Sequence, residues 1–351
     1  MSIEQHVWGM TPEGEAVILY TLRNGNGCEV QVCNIGATLV SVKCPDRNGE
    51  IADVILGYKD FNSYWNDGAC SGKSVGRVAN RIAGGKMTVD GVDYTLEINN
   101  GPNHLHGGSH GFGTKLWESR IETNRVVFSL LSEDGDAGYP GEVHLEAAYD
   151  LDEDNNISLT YIAKTDKLTP INITNHTYWN LSGENSGDIL QHELHLNCSN
   201  VLEMNDVQIP TGKMLEVKGT PMDFCSSFRK FADGIDSEFN HIKDFKGYDH
   251  FFVLDNWKPN ILSEVGELRD PKSGRKLTVL SSQAGAMVYT GNWLEGGCPV
   301  TKSGSRYKDY AGVAIECQTH PDAVNHDNFP SILLKPEETY CQKIVFRLGT
   351  Y

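Results

Sequence analysis

Two short runs, far apart in the chain, carry the groups best suited to move a proton. The first is Ile171-Asn172-Ile173-Thr174-Asn175-His176-Thr177-Tyr178-Trp179-Asn180-Leu181. On extended backbone successive side chains alternate faces, so Ile171 and Ile173 point one way while Asn172, Thr174, His176 and Tyr178 point the other. The isoleucines can seal a core, and the opposite row has more hydrogen-bonding capacity than a wet sheet face needs. A lone histidine on a polar strand face is as often structural as functional. The adjoining Tyr178 and Trp179 tilt the balance toward a site, because rings with a polar edge suit a flat, hydroxylated ligand.

The second run is Val313-Ala314-Ile315-Glu316-Cys317-Gln318-Thr319-His320. Here Val313, Ile315 and Cys317 share one face, and Ala314, Glu316 and Gln318 share the other. Small Ala314 leaves room beside the Glu316 carboxylate for a ligand, although a strand glutamate more commonly pairs with a cross-strand lysine in water. Upstream, Asn80-Arg81-Ile82-Ala83-Gly84-Gly85 and Asn103-His104-Leu105-His106-Gly107-Gly108 bring a guanidinium and imidazoles to glycine-rich turns that permit close approach. His104-x-His106 puts both rings on one side of extended chain. With His110 or His176 it has the makings of a cupin-like metal site. In Gly247-Tyr248-Asp249-His250-Phe251, Asp249 can accept hydrogen bonds from hydroxyls, though alone it reads as a strand-entry turn residue.

The elements that must hold these groups are strands. Val126–Leu130, Ile157–Ala163, Lys276–Leu280, Ala286–Thr290 and Lys343–Leu348 are strand-length and rich in β-branched or aromatic residues. Turn clusters such as Asp46-Arg47-Asn48-Gly49 and Asn99-Asn100-Gly101-Pro102 punctuate the chain. Helical signals are few; Phe224 to Ile235, with Phe228 and Phe231 three apart, predicts one small helix. No repeat, linker or composition step divides the chain. The expectation is an all-β protein in which residues 1–351 form a single large antiparallel domain of two packed sheets.

With 30 Lys+Arg against 47 Asp+Glu the formal charge is −17. This repels phosphate backbones and anionic lipid, so neither nucleic acid nor membrane is an expected partner, and a neutral ligand fits better than an anionic one. The start lacks a signal-peptide pattern, and no apolar run approaches the roughly 18 residues of a membrane span. Nine cysteines without Cys-x-x-Cys spacing predict reduced thiols, no disulfide framework and no structural zinc. A cytoplasmic protein is expected.

In this order Asn80-Arg81-Ile82, Leu105-His106-Gly107-Gly108, Asn175–Leu181, Tyr248-Asp249-His250, Tyr289-Thr290-Gly291-Asn292, Glu316-Cys317-Gln318 with Pro321-Asp322-Ala323, and the closing Asn328–Pro336 segment resemble the aldose 1-epimerase (galactose mutarotase) family over nearly the whole chain. The resemblance implies a large antiparallel β-sandwich of the galactose mutarotase type with few short helices, and a sugar cleft across one sheet. It implies Glu316 as general base, His176 as general acid, and Asn80, Arg81, His106 and Asp249 as substrate-binding groups. It implies no cofactor and no metal, a small-molecule aldose as substrate, and a monomer or weak dimer. One departure stands out: Met287 occupies a place where some relatives carry Gln, with Gln283 close by in sequence.

Interconverting α and β anomers of an aldohexose such as glucose or galactose means deprotonating the C1 hydroxyl while protonating the ring oxygen, then closing the ring on the other carbonyl face. One base and one acid in reversible roles suffice. The expectation is therefore an ionised Glu316 and a protonated His176 near neutral pH. Two rival readings are a hexose-phosphate epimerase, which needs further Arg or Lys, and a non-catalytic sugar-binding protein, which has no use for the acid-base pair.

Overall fold

The computed structural model describes residues 1–65 and 67–351. Its strands pair antiparallel into three larger sheets. The first has five strands in chain order: Ser2–Met10, Ala16–Arg23, Glu29–Cys33, Thr38–Pro45 and Ile51–Asp53. The second has nine, running Glu118–Glu122, Arg125–Ser132, Val143–Leu151, Asn156–Thr165, Tyr340–Thr350, Arg275–Ser281, Ser263–Arg269, Glu193–Leu196 and Arg229–Lys230. The third has six, in the order Tyr178–Trp179, Val313–Gln318, Gly285–Tyr289, Asp249–Val253, Asn200–Met204 and Pro210–Glu216. The strand Tyr340–Thr350 lies inside the nine-stranded sheet, paired with Asn156–Thr165 on one side and Arg275–Ser281 on the other, and so joins the two halves of the sheet.

The five predicted strands are all present, each within or overlapping an observed strand. Their alternation has its expected cause: Phe128 and Val126, Ile157, Leu159 and Tyr161, Leu277 and Val279, and Ile344, Phe346 and Leu348 point into one continuous core, which also receives Val288, Val313, Ile315 and Cys317 from the six-stranded sheet. The two sheets thus pack through apolar faces, as in a sandwich. The opposite face of the six-stranded sheet carries Asp249, Tyr289, Ala314 and Glu316. Strand register brings Met287 against Glu316, and Tyr289 against both Asp249 and Ala314.

The predicted helix from Phe224 to Ile235 does not form. That segment holds bends, the short strand Arg229–Lys230 and a single 3-10 turn, Phe231–Asp233. Phe224 and Phe231 are both buried against Tyr248, but Arg229 pairs with Leu194 at the sheet edge, and sheet pairing wins over a lone i, i+3 aromatic spacing. The one α-helix among the described residues is Phe61–Trp65. No helix of the described residues is long and apolar enough to cross a membrane. All nine cysteines are free thiols, and six of them are buried.

Candidate active site

The His176 run is not one strand but two, Thr174–Asn175 and Tyr178–Trp179, with His176 in the break between them. Every residue from Ile171 to Leu181 is buried, so the polar row faces protein and cleft, not bulk water. The break is fixed by its own backbone: the His176 amide donates to the Lys73 carbonyl at 2.8 Å, and Gly72 N–H donates to the His176 carbonyl at 2.9 Å. Asn172 braces the neighbouring strand, its amide donating to the Thr319 carbonyl at 3.1 Å and its carbonyl oxygen accepting from Thr319 N–H at 3.0 Å. This ties the His176 and Glu316 runs together.

The imidazole of His176 then meets Glu316, with Nε2 to Oε1 at 3.4 Å. Its ring is boxed by Tyr178 at 4.9 Å, His106 at 5.3 Å and Tyr289 at 6.3 Å between centroids. Tyr178 is itself anchored by its hydroxyl, which donates to the Ala69 carbonyl at 3.0 Å. Among the described residues neither His176 Nδ1 nor Glu316 Oε2 has a partner, although both are buried.

Asn80 and His106 lock each other. The Asn80 amide donates to His106 Nδ1 at 3.1 Å, the His106 amide donates to the Asn80 carbonyl at 3.0 Å, and both residues have left-handed backbone, φ 65° and 54°. The next residue must be glycine: at φ 84° a Cβ on Gly107 would lie 2.0 Å from the Gly76 carbonyl oxygen. Because His106 Nδ1 spends its lone pair on a backbone N–H, the neutral ring keeps its hydrogen on Nε2 and serves the cleft as a donor.

Arg81 is held from two sides, Nε donating to Asn100 Oδ1 at 3.0 Å and one terminal nitrogen donating to Gln208 Oε1 at 2.6 Å. Its other terminal nitrogen stands 3.8 Å from Asp249 Oδ2, and that oxygen accepts a short hydrogen bond from the Gln208 amide.

All six residues singled out in the sequence, Asn80, Arg81, His106, His176, Asp249 and Glu316, line one cleft of about 480 Å³, within the ~300–1,000 Å³ span of small-molecule sites. Sequence reasoning did not find Asn100, Gln208, Tyr289, Trp293 and the Gly68–Cys70 turn, which also line it. Tyr289 alternates with core-facing Val288 and was open to detection; Gln208 gives no signal. Met287 is fully buried in an apolar cluster with Phe251 and Leu202, outside the cleft lining. Gln283 is also buried, bonded to Tyr340 and Thr319, and does not reach the cleft.

His104 does not join His106. It is buried, with Nδ1 at 2.7 Å from the Glu97 carbonyl and Nε2 at 2.8 Å from the Tyr139 hydroxyl, a satisfied core histidine. His110 is exposed. His106, His176 and Glu316 do place one potential ligand atom each within 4.8 Å of one another. The donor chemistry does not fit a metal, because His106 Nε2 carries a hydrogen and its lone-pair nitrogen is already bonded.

The electrostatics depart from the expected ionised pair. Burial lowers His176 to about 4. Burial, reinforced by the Asp249 charge and opposed by Arg81, pushes Glu316 well above the usual carboxylate range. Burial also raises Asp249, against Arg81 and the Gln208 bond, and lowers His106. Burial thus disfavours the charged form of both partners, so a neutral imidazole beside a neutral carboxyl, with the proton on Glu316, is favoured over the ion pair. The ion pair differs only by transfer of that proton across the 3.4 Å contact.

The aldose 1-epimerase family model matches residues 19–347. The chain is 38% identical to galactose mutarotase from Bos taurus over 351 residues, covering 99% of each. It is 37% identical to aldose 1-epimerase from Escherichia coli (strain K12) over 337 residues, 94% of this chain and 95% of that one. Among solved structures, the aldose epimerase homologue from C. elegans superposes with a TM-score of 0.86 at 32% identity, covering 94% of this chain and 98% of that one.

Proposed function

The chain belongs to the aldose 1-epimerase family, and on that premise we propose that it interconverts the α and β anomers of free aldohexoses such as glucose and galactose by acid-base ring opening and closure. The observation that carries this reading is the buried Glu316 and His176 pair, 3.4 Å apart, at the wall of a cleft that Asn80, Arg81, His106 and Asp249 also line.

A sugar entering between the pair meets a base and an acid at once. Glu316, ionised once its proton is on His176, takes the proton of the C1 hydroxyl. His176 gives its own to the ring oxygen, and the C1–O5 bond opens to the aldehyde. Rotation about C1–C2 presents the other carbonyl face; His176 then retrieves the proton from the C5 hydroxyl and Glu316 returns one to the carbonyl oxygen. The pair ends in its starting state, so no co-reactant is consumed. Arg81, the His106 Nε2–H, Asn80 and Asp249 hold the remaining hydroxyls and contribute orientation. Among the described residues that line the cleft the sole Lys or Arg is Arg81, already bonded to Asn100 and Gln208, which favours an unphosphorylated sugar. We place the protein in the cytoplasm, acting as a monomer or weak dimer in one domain.

Polarimetry on freshly dissolved α-D-glucose and α-D-galactose, alongside hexose phosphates, tests the proposal. Acceleration confined to the free sugars is expected; a preference for the phosphates, or no acceleration at all, would overturn it.

A further inference from the structure

The turn joining Asn200–Met204 to Pro210–Glu216 reaches into the cleft with one side chain, Gln208. The turn is braced, not loose. Asn205 Oδ1 accepts from the amides of Val207 and Ile209, the Gln208 amide donates to the Asn205 carbonyl, and the Asn103 side chain donates to the Val207 carbonyl. Gln208 has φ 60°, a left-handed conformation that disfavours a side chain, yet this aims its carboxamide inward.

There both ends of the amide meet a charge, the oxygen accepting from Arg81 and the NH₂ donating to Asp249 Oδ2. Gln208 thereby decides which atoms of its neighbours remain for a ligand. Asn100 and Gln208 occupy two nitrogens of the Arg81 fork and leave the third, 3.8 Å from Asp249 Oδ2, without a closer bond, while Gln208 bonds Oδ2 of Asp249 and, among the described residues, none bonds its Oδ1. What is left is one fixed donor beside one fixed acceptor, the pattern that two adjacent sugar hydroxyls complete.

We propose that Gln208 is a positioning and specificity-determining residue, cross-bracing Arg81 and Asp249 so that they read a pair of neighbouring hydroxyls on the substrate. The inference rests on the proposed sugar site. Since the brace acts on ground state and transition state alike, its loss weakens binding and leaves the proton transfers intact.

The test compares wild type with Gln208→Ala and Gln208→Glu by polarimetry on glucose and galactose, with calorimetric titration of each sugar. For Gln208→Ala, KM and the calorimetric Kd rise about 5- to 30-fold, the scale of one lost hydrogen bond to a charged group partly replaced by water. The kcat stays within about twofold, and the ratio of kcat/KM between these two sugars, which differ at one hydroxyl, shifts. Gln208→Glu keeps the acceptor for Arg81 but sets a carboxylate against Asp249, so its KM relative to wild type improves as pH falls and the two carboxyls share a proton. Wild-type KM, Kd and sugar preference in Gln208→Ala overturn the proposal, as does a fall in kcat at unchanged KM. An inactive wild type would count against the mutarotase reading alone, because calorimetric sugar binding still decides the role of Gln208.

Discussion

Replacing Asp249 by Asn removes a negative charge that raises Glu316, and this moves the catalytic pH profile in a direction the structure fixes. Asp249 and Glu316 lie on strands separated by one other, Gly285–Tyr289, and are offset by two residues in register. Two strand spacings and two residue rises put their Cα atoms about 12 Å apart. At that separation and an effective dielectric near 20, a unit charge contributes about 1.4 kcal/mol. That is about one pKa unit. On the proposed mechanism the active form holds one proton on the Glu316–His176 pair. Below the acid limb, set by His176 at about 4, both groups are protonated and the base is lost. Above the alkaline limb, set by the raised Glu316, the last proton leaves and the acid is lost. Asp249→Asn should therefore move the alkaline limb of kcat/KM about one pH unit toward acid and shift the acid limb less, whatever it does to KM. Initial polarimetric rates at low sugar concentration, taken from below pH 4 upward until the rate falls again, give both limbs. An alkaline limb that stays put or moves upward would refute the electrostatic account of the pair.

Burial also holds His192, His250 and His320 at about 4, as it does His176, so from pH 6.5 down to 4 the unfolded chain binds protons that the folded chain does not. Stability should fall with acid through this window by about 1.4 kcal/mol per pH unit for each such histidine, partly offset by raised Glu316 and Asp249, and urea midpoints that stay level from pH 6.5 to 4.5 would contradict it. Gly107→Ala should cost about 2–5 kcal/mol by denaturant titration, from left-handed backbone and a clash with the Gly76 carbonyl; a midpoint near wild type would show that the turn holding His106 can relax.

The sheets were legible because alternation survives wherever one face meets a core, as in Ile157–Ala163 and Lys343–Leu348. The paired rows of the Glu316 strand could be read for the same reason: Ile315 and Cys317 pack inward, and Glu316 faces the cleft. Three features were not legible, each for a tertiary reason. The His176 segment alternates like one strand, but its hydrogen bonds to Gly72 and Lys73 break it in two. The protonation of the Glu316–His176 pair depends on burial by segments remote in sequence, so an ion pair was expected where desolvation favours the neutral form. Gln208 comes from a turn 41 residues before Asp249 and about three times as far from Arg81, and only folding joins the three.

The central claim is that Glu316 is the base of a mutarotase, and Glu316→Gln tests it most directly. The amide keeps the shape beside Met287 and His176 and cannot take the C1 hydroxyl proton. With thermal unfolding and calorimetric sugar affinity measured on the same sample, polarimetry on α-D-galactose should show kcat reduced by about 10²–10⁴-fold, the contribution of one positioned acid-base group, with affinity within a few-fold and the fold intact. A folded, sugar-binding Glu316→Gln protein that mutarotates at the wild-type rate would contradict the account.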